Sequence, residues 1–378
     1  MILKTFIFIL SFSFLSFLQT ETKAAGTKNE ILFFNNYRKG EKALQKHEYK
    51  KALEHFTKAE KQGNENAYYY LANMYYMGLG VKIDYKKALY LAKRGYDKGS
   101  IPSSYQYAKF LFLSKGTNPD KDLAEKIFKE HDYLVWFTNE YRKHKVPFHA
   151  YTIGYMYEHA LGDIKKDLKL ALDWYQIGAD MGNPSALSNY GVLYEYGEAV
   201  AQDYTKAASL YRQAAELGYA NGCYNLGVRY ENGEGANGID NKQAVFWYSK
   251  AAEQNSPIAQ YSLARMYENG DGVDPDYKKA FILYEKSAKQ GFIFAQYRLG
   301  VMYDMGEWLD EDNIKAVYWF KKAAELGYPA AQNNLGIMYI SGEGVAQDKA
   351  KAVYWYKKAA KQGDEMAKKN LNALGIEW

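Results

Sequence analysis

The residues best suited to chemistry in this chain are six histidines, one cysteine and a regular series of acids. No histidine follows another at the four-residue spacing that places two metal ligands on one face of a helix. His149 and His159 could converge with Glu158 as a general acid and base, but ordinary packing or exposure explains them more simply. The single Cys223 stands at a small-residue position, which favours an inert buried thiol. We therefore expect no catalytic residue, no metal and no cofactor.

The acids form a column in which each member directly follows a recurring tyrosine. Regularly spaced acids of this kind are typical of a solvated or helix-capping row, whereas glycosidase-type hydrolysis needs two carboxylates in one cleft. The regular spacing of these acids therefore argues against a catalytic function. The members of the column are Glu158, Glu195, Glu231, Glu268 and Asp304.

The regular spacing of these acids reflects an internal repeat of 36 to 37 residues. A tyrosine recurs at this interval, and so does an alanine that is followed by aromatic residues. Self-similarity at such a period indicates a solenoid, here of nine units. The tyrosines are Tyr157, Tyr194, Tyr230, Tyr267, Tyr303 and Tyr339, and the alanines are Ala52, Ala88, Ala124, Ala171, Ala207, Ala244, Ala280, Ala316 and Ala352.

Each unit is predicted to form two short helices. Leu226, Gly227 and Tyr230 share one face of the first helix, and the glycine lets a neighbouring helix approach closely. The second helix begins at an acid four residues before the alanine, which can cap free N–H groups, and it ends at a glycine. The predicted caps are Glu48, Asp84, Asp120, Asp167, Asp203, Asp240, Asp276, Asp312 and Asp348, and the predicted terminators are Gly99, Gly182, Gly218, Gly291, Gly327 and Gly363.

A Gly-x-Gly turn joins the two helices in four of the nine units, as in Gly270-Asp271-Gly272. A dinucleotide-binding glycine motif follows a strand and opens a helix. Here a helix precedes each copy and the motif recurs in several units, so we interpret it as a tight helix-to-helix turn.

These motifs resemble the Sel-one-like repeat (SLR) family, which is related to the tetratricopeptide repeats (TPR). The resemblance is carried by residues 331–339, the turn Gly342-Glu343-Gly344-Val345 and residues 348–363, and it covers 65–100 and 148–378 closely. It implies an all-α, right-handed superhelical solenoid of stacked helix pairs. Some cysteine-rich relatives are proposed to act on β-lactams, but this chain lacks their paired cysteines.

The repeats and their irregularities divide the chain into six segments. An insertion of about ten residues in the degenerate unit is either a binding element or a packing plug. The segments are a secretory signal peptide at 1–24, a TPR-like unit at 25–66, an SLR unit at 67–100, a degenerate unit with insertion at 101–147, six SLR units at 148–364 and a capping helix at 365–378.

The N-terminal segment has the three parts of a signal peptide: Lys4, an apolar run from Phe6 to Leu18, and Ala24-Ala25-Gly26. The apolar run is shorter than the roughly 20 residues that a membrane span requires. We expect cleavage near Ala24, no integral span in the mature chain, and a periplasmic or secreted location.

A predicted partner-binding groove lies on the first helices. Positions two before, two after and five after the leucine anchor share one face, and in the resembled TPR fold they line the groove. The candidate groove residues are Tyr151, Tyr155, Glu158, Tyr224, Glu231, Tyr261, Arg265, Glu268, Tyr297 and Asp304. At this point the alternative stays open that the tyrosines pack against the next unit.

The charge of the chain argues against one class of function, nucleic-acid binding. The net charge of +5 is mild, and basic residues alternate with acids along the chain, which argues against a nucleic-acid binder. We expect an exported, non-catalytic adaptor that binds proteins or peptides and no small-molecule substrate, and the resemblance implies a bacterial protein of envelope assembly or host-cell interaction. The alternatives are an envelope hydrolase of the β-lactam-acting type and a eukaryotic adaptor of quality control in the endoplasmic reticulum lumen.

Overall fold

Short amphipathic segments separated by glycine turns fold into helices along the chain. The computed structural model describes residues 35–113, 120–234 and 238–377, and these ranges contain helices and no strands. The predicted signal peptide lies outside them. The helices are α1 (35–45), α2 (Tyr49–Lys61), α3 (Ala67–Met77), α4 (Tyr85–Asp97), α5 (Ile101–Phe112), α6 (Lys121–Phe128), α7 (Tyr133–His144), α8 (Pro147–His159), α9 (Leu168–Asp180), α10 (Pro184–Tyr196), α11 (Tyr204–Glu216), α12 (Ala220–Asn232), α13 (Asn241–Glu253), α14 (Pro257–Asn269), α15 (Tyr277–Lys289), α16 (Ile293–Met305), α17 (Asn313–Glu325), α18 (Pro329–Ser341), α19 (Lys349–Ala360) and α20 (Glu365–Ala373).

The predicted aspartate caps begin the second helices. The Asp84 carboxylate accepts a hydrogen bond from the backbone N–H of Lys87 at 2.9 Å, and the other predicted aspartates do the same for their helices. Glu48 differs, because its side chain makes no cap hydrogen bond and pairs instead with Lys51 at 3.1 Å. The prediction is confirmed for the aspartates and wrong for Glu48.

The predicted terminators all have left-handed backbone conformations, with φ between 71° and 94°. The turn between the paired helices also needs this conformation twice, at Gly78 and Gly80, and a Cβ on Gly80 would lie 2.7 Å from the Tyr49 carbonyl carbon. Only glycine adopts this conformation without cost. Trp308 nevertheless occupies the position equivalent to Gly80, with φ 64°, and its ring stacks on Tyr277.

The helices form two compact units, one of residues 35–202 with 216–219 and one of 203–215 with 220–377. Within each unit consecutive helices pack together in pairs, which makes the fold an all-α solenoid of stacked helix pairs. No helix in the described ranges is long and apolar enough to cross a membrane.

In the first unit the predicted insertion forms an additional helix, α7. Its Phe137 is fully buried, with ring centroids 5.6 Å from Tyr69, 5.4 Å from Tyr105 and 5.6 Å from His149. This face of α7 fills the interior, as a packing plug does. In the second unit, α20 buries Ala367 and Leu371 against the last helix pair.

Within a pair, the glycine of the first helix receives an aromatic ring from the second helix. A Cβ on any of these glycines would lie 2.5–2.8 Å from a ring carbon, so the ring and the helix backbone are in direct contact. The pairs are Gly154 with Tyr175, Gly227 with Tyr248, Gly300 with Phe320 and Gly336 with Tyr356.

Gly300→Ala is expected to destabilise the second unit by about 1–2 kcal/mol, because overpacking against the buried Phe320 ring outweighs the gain in helix propensity. The chain offers a control, since Ala264 naturally occupies the equivalent position opposite Tyr284. Ala264→Gly creates no clash, and we expect it to cost less than about 1 kcal/mol through propensity and a small cavity. Urea unfolding of both variants measures the difference. Equal losses would contradict the close contact between Gly300 and Phe320.

Candidate protein-binding surface

The candidate groove tyrosines of the second unit are half-buried on the first helices. The ring centroid of Tyr224 lies 5.7 Å from that of Tyr248, and the centroid of Tyr261 lies 5.6 Å from that of Tyr284. Tyr297 packs on its own second helix in the same way. Each ring is thus supported by the second helix of its repeat and keeps part of its surface open.

Tyr151 and Tyr155 in the first unit behave differently, because both are buried. The Lys109 ammonium donates a hydrogen bond to the Tyr151 hydroxyl at 3.3 Å and lies 3.8 Å from the centre of the Tyr155 ring. Contrary to prediction, these two tyrosines do not line an open groove, since the degenerate unit covers them.

Lys109 is the residue that sequence reasoning missed most clearly. It is 2% exposed, and burial lowers the pKa of its ammonium to about 7, against the opposing charge of Glu158. Lysine is almost never buried, and nothing in its sequence neighbourhood marks Lys109 as an exception.

Three acids of the column accept hydrogen bonds from buried tyrosines. The Tyr248 hydroxyl donates to Glu231 at 2.6 Å, and the Tyr284 hydroxyl donates to Glu268 at 2.5 Å. Tyr175 donates to Glu158 in the same way, and burial raises the pKa of Glu158. These acids hold the second helix on the first rather than facing solvent freely.

Asp304 is at the same position, but its second helix presents Phe320, which has no hydroxyl. Burial raises the pKa of Asp304, and the charges of Glu343 and Glu311 raise it further. Asp304 is therefore the member of the column in this unit whose acceptor atoms are not used by a second-helix tyrosine.

Two arginines join these acids across neighbouring repeats. Arg265 donates to Glu231 of the preceding repeat at 3.0 Å, and Arg298 donates through Nε to Glu268 at 3.0 Å. Arg298 also reaches Glu307 at 2.7 Å. The predicted groove residues Glu231, Arg265 and Glu268 are thus engaged in links between repeats, and a role in binding a partner stays a prediction.

The three residues weighed for acid–base chemistry do not form one cluster. His149 is buried, and its Nε2 lies 3.1 Å from the Tyr70 hydroxyl, which donates to Glu41. His159 lies beside Glu158, with Nδ1 and Oε2 3.6 Å apart. Among the described residues, no group of three or more His, Cys, Asp or Glu side chains is arranged to hold a metal.

Stacked helix pairs, a glycine–ring contact in four of the pairs and acids bonded to arginines of the next repeat define a helical repeat protein. The family model described as "Sel1 repeat" matches eight segments, so the chain belongs to the Sel1 repeat family. Proteins of this family generally serve as scaffolds for protein interactions. The matched segments are 36–64, 66–100, 150–183, 184–219, 220–256, 257–292, 293–328 and 329–364.

Two solved structures are similar to this chain over most of its length. One is c5321, described as a protective antigen present in uropathogenic Escherichia coli strains, with 30% identity, a TM-score of 0.54, and coverage of 85% of this chain and 67% of that chain. The other is a Sel1 repeat protein from Oxalobacter formigenes, with 29% identity, a TM-score of 0.58, and coverage of 85% and 89%. A comparison with curated proteins found no match.

Proposed function

We propose that the chain is an exported, non-catalytic bacterial adaptor that holds protein partners on the first helices of its second unit. The observation that carries this proposal is the row of half-open tyrosines Tyr224, Tyr261 and Tyr297, one on each of three successive repeats. Each ring is fixed by a second-helix aromatic ring, so little side-chain entropy is lost when a partner binds.

Aromatic side chains on a rigid scaffold are the usual energetic centres of protein interfaces. Glu231 is paired with Arg265 and Glu268 with Arg298, so the surface beside Tyr224 and Tyr261 offers apolar contact framed by neutralised polar groups. Export is supported by the signal-peptide pattern of residues 1–24. One similar structure is described as a protective antigen of a bacterium, which accords with a bacterial protein outside the cytoplasm.

The test is affinity capture of the tagged chain with mass spectrometry, from envelope fractions and culture medium of the source cells. Alanine replacement of Tyr224, Tyr261 and Tyr297 is expected to lower recovery of the bound proteins at least about tenfold. Ile337→Lys adds a variant on the same face without a cavity, because this side chain is 41% exposed. Thermal unfolding of each variant verifies the fold.

The matched control removes three aromatic rings from the second helices, at Phe246, Tyr318 and Tyr354. Proteins captured by this control and lost by both first-helix variants would support the proposal. Proteins retained by the folded first-helix variants would place the binding site elsewhere and overturn it.

A further inference from the structure

The second helices of the last four repeats present a row of exposed apolar side chains. Each stands two residues after the recurring alanine, and its neighbours in the row occupy the same position of the next repeat. We name these four residues, together with the lysine four residues after each, the second-helix stripe. The apolar members are Phe246, Ile282, Tyr318 and Tyr354, with exposures of 48%, 41%, 51% and 52%, and the lysines are Lys250, Lys286, Lys322 and Lys358.

The repeat fold itself does not require an apolar side chain at this position. The two preceding repeats hold Asp173 and Ser209 there, and both are exposed. Exposed apolar residues in four successive repeats therefore call for a cause outside the packing of the chain. A row of exposed apolar side chains rimmed by charged residues usually marks a contact site.

The lysines of the stripe carry charge that the chain does not neutralise. Lys250 lies 5.0 Å from the Phe246 ring centre, and Lys358 lies 4.8 Å from that of Tyr354. In the described residues, none of the four stripe lysines forms an ion pair with a carboxylate. Other lysines of the same helices do, as Lys279 with Asp276 shows at 3.1 Å.

Within each of these repeats the lysines lie on the second helix and not on the first helix or the turn between them. The second helices α13, α15, α17 and α19 hold 13 lysines and three glutamates, whereas the first helices α12, α14, α16 and α18 hold no lysine. The turns between them carry acids and no lysine. The face that bears the stripe is therefore strongly cationic, and its partner must be anionic.

The shape of the face distinguishes among anionic partners. A peptide needs a groove to bury its side chains or a sheet edge to pair with, and helices offer no such edge. Two clefts of the second unit, of about 700 and 400 Å³, lie away from the stripe and include none of its residues. Aromatic and aliphatic side chains that project from a lysine-rich face are instead the arrangement of proteins that lie on a bilayer.

We propose that the second-helix stripe docks onto the headgroup region of an anionic lipid bilayer. Phe246, Ile282, Tyr318 and Tyr354 enter the interface between headgroups and acyl chains, and the lysines contact the lipid phosphates. The first-helix tyrosines Tyr224, Tyr261 and Tyr297 are a separate set and remain available to a protein partner, so this inference does not depend on the proposed function.

The test is co-sedimentation of the full chain with vesicles of phosphatidylcholine alone and of phosphatidylcholine mixed with phosphatidylglycerol. The apolar run at 6–18 can bind either vesicle, so the stripe is measured by the part of binding that requires phosphatidylglycerol. This part is expected to fall with added salt. It is also expected to fall at least about tenfold when Lys286, Lys322 and Lys358 are changed to Gln.

The matched control changes Lys279, Lys315 and Lys351 to Gln, which removes the same charge from the same helices at lysines already paired with capping aspartates. This control is expected to weaken binding only about two- to threefold, and alanine at Phe246, Tyr318 and Tyr354 much more.

Equal effects of the two lysine variants, or binding indifferent to phosphatidylglycerol, would overturn the proposal. So would stripe-dependent binding of polyglutamate without vesicle binding, which would assign the stripe to an acidic protein. Retention of the captured proteins by the first-helix variants, with stripe-dependent vesicle binding intact, would overturn the proposed function and leave this inference standing, so failures of the two proposals can be told apart.

Discussion

Replacing Lys109 by methionine is expected to raise the free energy of unfolding at neutral pH by about 2–4 kcal/mol. The ammonium is buried beside Tyr151 and Tyr155, and burial lowers its pKa to about 7 from 10.5. Methionine has a similar length and no charge to desolvate. What it gives up is one hydrogen bond and the contact of the cation with the tyrosine rings.

The same substitution is expected to change the pH dependence of stability. Between the two pKa values the unfolded chain binds a proton at Lys109 that the folded chain releases, so stability rises as pH increases from about 7 and is lost again as pH falls. From about pH 7 to about pH 9 the parent chain gains about 2–3 kcal/mol from this group. The variant lacks this gain.

Urea unfolding across that pH range, below the ionisation of unfolded tyrosines, measures both effects. Lys86→Met is the control, because Lys86 is an exposed lysine of α4. A parent chain whose stability is flat from about pH 7 to about pH 9, or a methionine variant less stable throughout, would mean that the Lys109 charge is compensated in the folded state.

Lys109 also marks the limit of prediction from sequence. The helix caps, helix terminators and helix pairs are predictable, because the same local residue pattern recurs in each repeat. The cap at Asp84 and the caps at the equivalent aspartates confirm this. Lys109 lies in the degenerate unit, where the repeat no longer constrains the packing. Its side chain lies against Tyr76 of α3 and against Tyr151 and Tyr155 of α8, and contacts of this kind between distant segments leave no local pattern.

The acid column is only partly predictable from the sequence. Its positions are evident from sequence, but a solvated row was the wrong interpretation for Glu158, Glu231 and Glu268. The tyrosine that each acid binds stands 16 or 17 residues later in the chain, on the second helix. One sequence pattern could have predicted these hydrogen bonds. Each repeat concerned has both an acid after the anchor tyrosine and a tyrosine four residues after the alanine. The packed helix pair shows that the two side chains meet.

Glu268→Ala is therefore expected to cost about 2–4 kcal/mol, because in a largely buried site the Tyr284 hydroxyl loses its acceptor and the Arg298 guanidinium keeps only Glu307. Asp304→Ala is the matched control at the same position of the next repeat. Its ring partner is Phe320, so we expect a change below about 1 kcal/mol. Thermal and urea unfolding of the two variants give the comparison.

A double-mutant cycle separates the contribution of the Tyr284–Glu268 hydrogen bond from the other effects of removing Glu268. Tyr284→Phe removes the donor and keeps the ring, and combined with Glu268→Ala it is expected to show a coupling of about 1–2 kcal/mol. A solvated row of acids would give a coupling near zero. Positive coupling would mean that the acids of this face serve the joint between paired helices, so that recognition of a partner there rests on the exposed parts of the tyrosine rings rather than on the carboxylates.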